Sequence, residues 1–537
     1  MDLLSQWLNY PAPLDRILSI FGIELHWLIL QYVLGIPFML LLTLLLYARS
    51  KDGRWERIAR TMAKSLGIVF AVGAASGTLS EFGLVVIWPN LLEAAGRYIF
   101  FPLYAEIFAF LIEIIFIYFL VFAWNKIGVR GKIVLSLLAL SGAWLSGALI
   151  MSVNSYMVAP TGIVAAYDPM SGWKYDQGYP KVLLVVPNDV VKALDVNKLS
   201  SLGMEVVGSG ERGVSVLMPS KIVSRLVSEA WGNVRVGESV LSLVVKEEAL
   251  IDLRGLLVKD LVDVIMVNTV RSVGYTAVTF LSPVYLGSFL HALGSAITVT
   301  AFTLIGAHSL LLLRGKRDEH HSAGLKLGII VALISIAVQG LVFGHLIGVE
   351  IAVNNPEKLA AMEGTSSEIF SLGRALGLEN LMSFIAYGSF DAKLPDYDRI
   401  SLDYCTLDGV PAISDCRPPL MIHYLYYAKI GLSLLLGVYA LLCSILIRRG
   451  GLPRSLLMAN LATPAAAQLV SFLGWAVREM GRKPWSIYGI MTVDVAHTAN
   501  PGDVLSYSLI ATILVCVALA LISAVWKFLY EPSLREV

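Results

Sequence analysis

The sequence predicts an all-α polytopic membrane protein with about nine transmembrane helices, its N-terminus outside, and a small α/β extracytoplasmic insert. Three observations lead there. Of the 537 residues, 57% are hydrophobic and only 15% charged, whereas soluble domains run at about 45–50% apolar and about 25% charged. Such a chain has too little polar surface to face water everywhere, so lipid must be the solvent for much of it. Second, nine apolar runs reach the roughly 20 residues that a helix needs to cross a bilayer; they lie near 26–47, 64–87, 103–124, 132–153, 288–313, 325–348, 424–447, 455–477 and 504–526. Third, the basic residues gather in alternate connections: Arg49 to Lys64 after the first run, Lys126 to Lys132 after the third, Arg314 to Lys326 after the fifth, Arg448 to Arg454 after the seventh, then Lys527 and Arg535. In a nine-helix weave these fall on one side, and the positive-inside rule makes that side the cytoplasm.

The first run is too long for a cleavable signal and lacks a small-residue cleavage site, so it reads as a true span. Basic residues are dispersed over short loops with no dense stripe, and nothing points to nucleic acid. The net charge of +1 decides little, because position matters more than sum in a membrane. The chain divides into 1–159 (four spans), 160–285 (an extracytoplasmic insert and linker), 286–348 (two spans), 349–417 (an external loop) and 418–537 (three spans). In the insert, strand-like Val182–Val186, Met204–Gly208, Gly213–Met218 and Val234–Val245 alternate with helical Asn188–Leu202 and Ser220–Trp231. That βαββαβ order over 180–246 suits a small ferredoxin-like domain. Cys405 and Cys416 share the external loop, where either a disulfide or two free thiols can persist; Cys443 and Cys516 lie inside spans as packing residues.

Ionisable side chains at bilayer depth are costly and therefore functional candidates. His26, Glu106, Glu113 and His291 stand out. A neutral imidazole inside a helix bundle suits an axial position on haem iron, though a lone one also serves as a helix–helix hydrogen bond. Glu106 and Glu113 are two turns apart on one face of the third span. They suit a proton path or an iron-facing carboxylate, or else a mutual hydrogen bond sharing one proton. Composition and spacing thus lead to a redox protein or a proton-coupled transporter.

Six motifs go further. Arg16 precedes His26 at the first span; Gly77-Thr-Leu-Ser-Glu81-Phe82 matches G-x-x-x-E-F in the second; Pro102-Leu-Tyr-Ala-Glu106 matches P-L-x-x-E opening the third. Ser282-Pro283-Val284 leads to His291 in the fifth. Asn355-Pro356-Glu357-Lys358-Leu359-Ala360-Ala361-Met362-Glu363 is close to Q-P-x-K-L-A-A-x-E, and Gly474-Trp475 followed by Gly481-Arg482-Lys483-Pro484-Trp485 is close to G-W…G-R-Q-P-W. In this order, and on these spans, the set resembles subunit I of the cytochrome bd-type quinol oxidases. The resemblance implies a cell-membrane oxidoreductase that carries haem b, with haem d an option, and moves electrons from membrane quinol to dioxygen. It implies that Lys358 and Glu363 contact or deprotonate quinol, that His291 ligates the low-spin haem, and that His26 and Glu106 stand at the oxygen-reducing site, with protons drawn from the cytoplasm.

The chain departs from that family at several places. Tyr427 stands where a methionine haem ligand is expected and Leu425 where an arginine is; His423, one turn before Tyr427, is the candidate replacement ligand, with Tyr427 itself as another. Phe472 stands where a buried glutamate is expected, Glu113 is one residue early for the second acid of the third span, and Trp144 replaces an asparagine. These losses suggest a diverged paralogue whose partner is either the usual second subunit or another subunit I homologue that keeps the active site. The alternative to an electron-transferring subunit is a haem-poor or haem-free structural partner. No inverted repeat supports the transporter. His308, His320, His321, His345 and His497 receive no role, and His320 and His321 are expected as solvated loop side chains.

Overall fold

The computed structural model describes residues 14–160, strands within 163–219, residues 278–399 apart from 317, residues 417–496 apart from 489 and 490, and residue 512. Seven helices among these are long and apolar enough to cross a membrane. They are α1 (Leu14–Ser50), α2 (Gly53–Ile87), α3 (Pro89–Phe122), α4 (Val129–Val158), α5 (Tyr285–Leu313), α6 (Glu319–Asn354) and, after three short helices, α10 (Met421–Arg449). The short ones are α7 (Pro356–Glu363), α8 (Leu372–Ala375) and α9 (Glu379–Tyr387). The run at 455–477, expected as one span, is divided into α11 (Arg454–Ala459) and α12 (Thr463–Met480), with the break at Asn460–Ala462 just before Pro464. Proline has no N–H to continue a helix across that point, so it opens the second piece instead. The ninth run, 504–526, lies outside the described residues, as do Cys405, Cys416, Cys516 and His497.

Local chemistry sets the helix ends. Asp52 caps α2 by accepting the Arg54 N–H, and Pro89 and Pro356 occupy the first turns of α3 and α7, where a missing N–H costs nothing. Within the bundle, α1 packs on α2, α4, α5 and α12; α3 lies against α4; α10 lies against α6 and α12. The largest core cluster runs from Met39, Leu40 and Leu44 through Leu66, Ile117, Phe302 and Ile329 to Ala440 and Ala467, so it draws on nearly every long helix. The outer faces of α3 (Phe108, Ile115, Phe122) and α10 (Leu434, Leu435, Val438) stay exposed and apolar, as lipid-facing or partner-facing surfaces are.

Two ion pairs join the starts of the even-numbered helices. Lys132 Nζ lies 2.6 Å from Glu56 Oε1, linking α4 to α2, and Arg54 Nη1 lies 3.2 Å from Glu319 Oε2, linking α2 to α6. The basic connections therefore meet at one end of the bundle, as an alternating weave requires.

In the insert, strands β1 (Ile163–Ala165), β2 (Lys181–Val186), β3 (Glu205–Gly210) and β4 (Gly213–Pro219) form an antiparallel sheet in the order β1-β2-β4-β3. Val182 pairs with Met218 and Val186 with Val214. Three of these strands fall where the alternation of the sequence puts them; the fourth, Ile163–Ala165, was not foreseen. The expected helices and the strand at Val234–Val245 lie outside the described residues.

Candidate functional site

Two histidines and a buried short helix define the site. His26 of α1 lies against α2: its Nδ1 is 2.9 Å from Ser76 Oγ. The Ser76 hydroxyl gives its hydrogen to Gly73 O at 3.0 Å, so Nδ1 of His26 is the donor and Nε2 keeps its lone pair. Gly77 leaves the space for the ring, since a methyl there would come within 3.1 Å of Cε1. Orientation by a hydrogen bond through the far nitrogen is how an iron-binding imidazole is held. The side chains of Arg16 and Phe82, parts of the same motifs, lie outside the described set.

His291 of α5 has a buried Nδ1 with no hydrogen-bond partner among the described residues. Opposite it, α6 loosens into a π-helical turn over Gln339–Phe343, and Gln339 Nε2 donates to the His291 carbonyl at 2.8 Å. Such turns widen a helix and recur at functional sites. Lys429 of α10 and Arg478 of α12 place positive charge within electrostatic reach of the His291 ring. Beside both histidines runs one aromatic stack: Trp27 and Trp475 lie 4.2 Å apart, and both pack with Ala292. Thus the residues next to His26 and His291 share a single packed cluster. An imidazole with a free nitrogen at each position fits a haem ligand.

His423 and Tyr427 do not. His423 Nδ1 donates to Met362 O at 2.8 Å, and its Nε2 accepts from the Leu372 N–H at 3.0 Å. Both nitrogens are committed, one as donor and one as acceptor, so the tautomer is set and no lone pair is left for iron. The Tyr427 hydroxyl donates to Glu363 Oε2 at 2.9 Å. The two side chains that occupy the place of an expected ligand therefore grip the loop that holds α7. Phe472 of α12 is 37% exposed, and no acid from its own position enters the bundle.

Glu106 and Glu113 both face α4. Glu106 accepts from Ser146 Oγ at 2.7 Å, while Glu113 is buried beside Gly142 with its Oε1 unpartnered among the described residues. Glu106 also lies near Glu81, so the acids of α2 and α3 form a line that starts one turn from the His26 contact at Gly77. Trp144 donates its indole N–H to Leu34 O, closing the α1–α4 contact where an asparagine was expected.

All eight residues of α7 are buried. Glu357 accepts from the Tyr488 hydroxyl at 2.6 Å. Lys358 reaches under α12: its Nζ is 3.4 Å from Arg478 O, and its stem fills the space beside Gly481, where a methyl would lie 2.6 Å from Cε. This is why the two motifs, N-P-E-K and G-R-K-P-W, meet. Burial pulls the Lys358 ammonium down to about 7, and Arg478 adds to the effect. Burial pushes the Glu363 carboxyl up to about 7 against the opposing bond from Tyr427, and its Oε1 has no partner among the described residues. Lys358 and Glu363 are five residues apart, so they leave α7 on different faces, one toward α12 and one toward α10. Gly364 then ends α7 in the left-handed conformation (φ 65°), directly beneath the His423 ring.

Sequence reasoning missed the network behind Lys358. Arg478 donates to Asn154 Oδ1, to Ser288 Oγ at 2.8 Å and to Ser155 Oγ at 3.3 Å, and Glu479 accepts from Asn154 Nδ2 at 2.9 Å. Those contacts tie α12 to α4 and α5. The signal was present, as a charged pair between Trp475 and Gly481 inside a recognised motif.

Comparison with known proteins bears on the family and the fold. The family model described as "Cytochrome bd terminal oxidase subunit I" matches residues 14–186 and 263–531. A Bacillus subtilis protein named as a cytochrome bd menaquinol oxidase subunit I is 22% identical over 512 residues, covering 91% of this chain and 90% of the relative. A second from the same organism, named "Cytochrome bd ubiquinol oxidase subunit 1", is 21% identical, covering 95% and 91%. The solved structure of the bd oxidase from Geobacillus thermodenitrificans matches with a TM-score of 0.66 at 19% identity, over 97% of this chain and 98% of that one, so the fold is shared. The chain belongs to the cytochrome bd terminal oxidase subunit I family.

Proposed function

We propose that this chain acts within a bd-type quinol oxidase of the cell membrane, accepting electrons from membrane quinol at α7 and passing them by way of haem toward dioxygen. Helix α7 carries the reading. It holds a carboxyl and an amine, both buried, both drawn to about 7, and the carboxyl has one oxygen without a donor among the described residues. A quinol hydroxyl is a donor of the right kind. Glu363 takes its proton through Oε1, a base being most effective when its pKa lies near the working pH. Tyr427 holds the other oxygen in place. Lys358, when protonated, favours the negative charge that develops on the quinol oxygen. The burial of α7 keeps water away from this transfer.

His291 and His26 are the residues that would hold haem, b at His291 and b or d at His26. Haem, when bound, supplies one-electron transfer and the reduction of dioxygen. Glu106, with Glu81 and Glu113 beside it, would carry protons toward His26, its carboxylate kept in position by Ser146. We assign His423 and Tyr427 to the quinol loop and to no haem. The basic end of the bundle would face the cytoplasm, and a second membrane subunit, of the usual kind or another subunit I homologue, would complete the oxidase.

A reduced-minus-oxidised spectrum of the purified complex tests this. A low-spin α-band is expected that His291→Ala abolishes and His423→Ala retains. No band from this chain in the wild-type complex would overturn the reading and leave a haem-free structural partner.

A further inference from the structure

At the basic end of the bundle, away from the quinol loop, three metal-binding side chains converge beside a buried histidine. His308 comes from the last turns of α5, and Asp318, His320 and His321 from the start of α6. His320 and His321 were expected to be solvated; instead His320 is half-buried and His321 is 6% exposed, beside the buried His308. The burial has a local cause. Gly324, one turn into α6, carries no side chain, and the His308 ring lies in the space that a methyl there would occupy.

The donor atoms are close. One ligand atom from each of Asp318, His320 and His321 lies within 4.8 Å of the others. His308 Nδ1 is 3.2 Å from His321 Nδ1. That spacing is a hydrogen bond between the two rings, and it fixes the orientation of His321 from the α5 side. His320 Nδ1 is buried, has no hydrogen-bond partner among the described residues and lies 3.9 Å from Asp318 Oδ2. An unpartnered buried nitrogen beside a carboxylate and a second imidazole lacks something positively charged between them.

We propose that Asp318, His320 and His321 bind a divalent transition-metal ion of the zinc type, with His308 holding the His321 ring across the α5–α6 contact. Two imidazoles and one carboxylate suit zinc, and an oxygen-seeking ion such as magnesium or calcium poorly. The surrounding charge is mixed. Arg57 and Lys316 face the imidazoles and oppose a cation, whereas Asp318 favours it; Glu319 is engaged with Arg54. The neutral imidazoles bring no charge of their own, so Asp318 sets the balance. None of this depends on the haem or quinol assignments.

The test uses the complete purified complex, stripped with a chelator, dialysed against Zn2+ alone and then freed of excess metal, with zinc counted per chain by elemental analysis. One zinc above the count of a His320→Gln/His321→Gln variant is expected, and at least tenfold weaker binding in Asp318→Asn, which leaves the buried rings in place. Assembly of each variant is checked by its elution and haem spectrum. Equal zinc in the wild type and the double variant, or no zinc retained by the wild type, would overturn the proposal and leave the rings as hydrogen-bonded packing.

Discussion

Glu363 and Gly364 sit side by side at the end of α7, and each makes a distinct prediction. In the proposed mechanism the base must be ionised, so quinol oxidation rises with pH through about 7, where burial has placed the Glu363 carboxyl. Lys358 loses its proton as pH rises through about 7, which removes its help to the developing negative charge. Steady-state rates should therefore peak near neutrality, and Glu363→Gln should lose the rising limb and at least tenfold in rate. A pH profile of the variant with that limb intact would remove Glu363 from the role of base. Gly364 has φ 65°, and a methyl there would lie 2.7 Å from His423 Nδ1. Gly364→Ala thus combines an unfavourable backbone with a collision, at a cost on the order of 1–3 kcal/mol. Faster amide exchange confined to α7 and α8 is the expected readout.

At the scale of elements, α7 is held from two sides, by Lys358 beneath α12 and by Tyr427 and His423 on α10. Removing the Tyr427 hydroxyl leaves a buried carboxyl with no donor among the described residues, which typically costs about 1–3 kcal/mol. The tyrosine bond opposes the effect of burial on Glu363, so Tyr427→Phe should move the rising limb of the pH profile to higher pH. A limb unmoved in that variant would show that the bond is absent in the working enzyme. The motifs of this region were legible as strings, because Lys358, Glu363, Gly481 and Trp485 keep the family's spacing. The service of His423 and Tyr427 was not legible. Helix periodicity puts both on one face, but whether that face meets a haem or a loop depends on Met362 and Leu372, some 50 to 60 residues away, and on nothing local.

At the scale of the whole molecule, the bundle has one basic end, tied together by Glu56–Lys132 and Arg54–Glu319. If that end is cytoplasmic, a membrane-impermeant maleimide should label Ser50→Cys only from inside and Asp391→Cys only from outside, in a background free of the native cysteines. The reverse pattern would invert the topology. The exposed apolar faces of α3 and α10 are surfaces for lipid or a second subunit.

The sequence by itself determined where the seven long helices run, which connections share an end and which strings of residues belong to the family. Those are properties of hydrophobic length and charge placement, each contained in a stretch of about 20 residues. Only the tertiary structure decided which nitrogens are free. His26 and His291 each keep a nitrogen outside any hydrogen bond among the described residues, His423 spends both on the loop, and His308, which received no role, meets His321 across two helices. A hydrogen bond needs its partner within about 3 Å, and in this bundle that partner often comes from a different part of the chain.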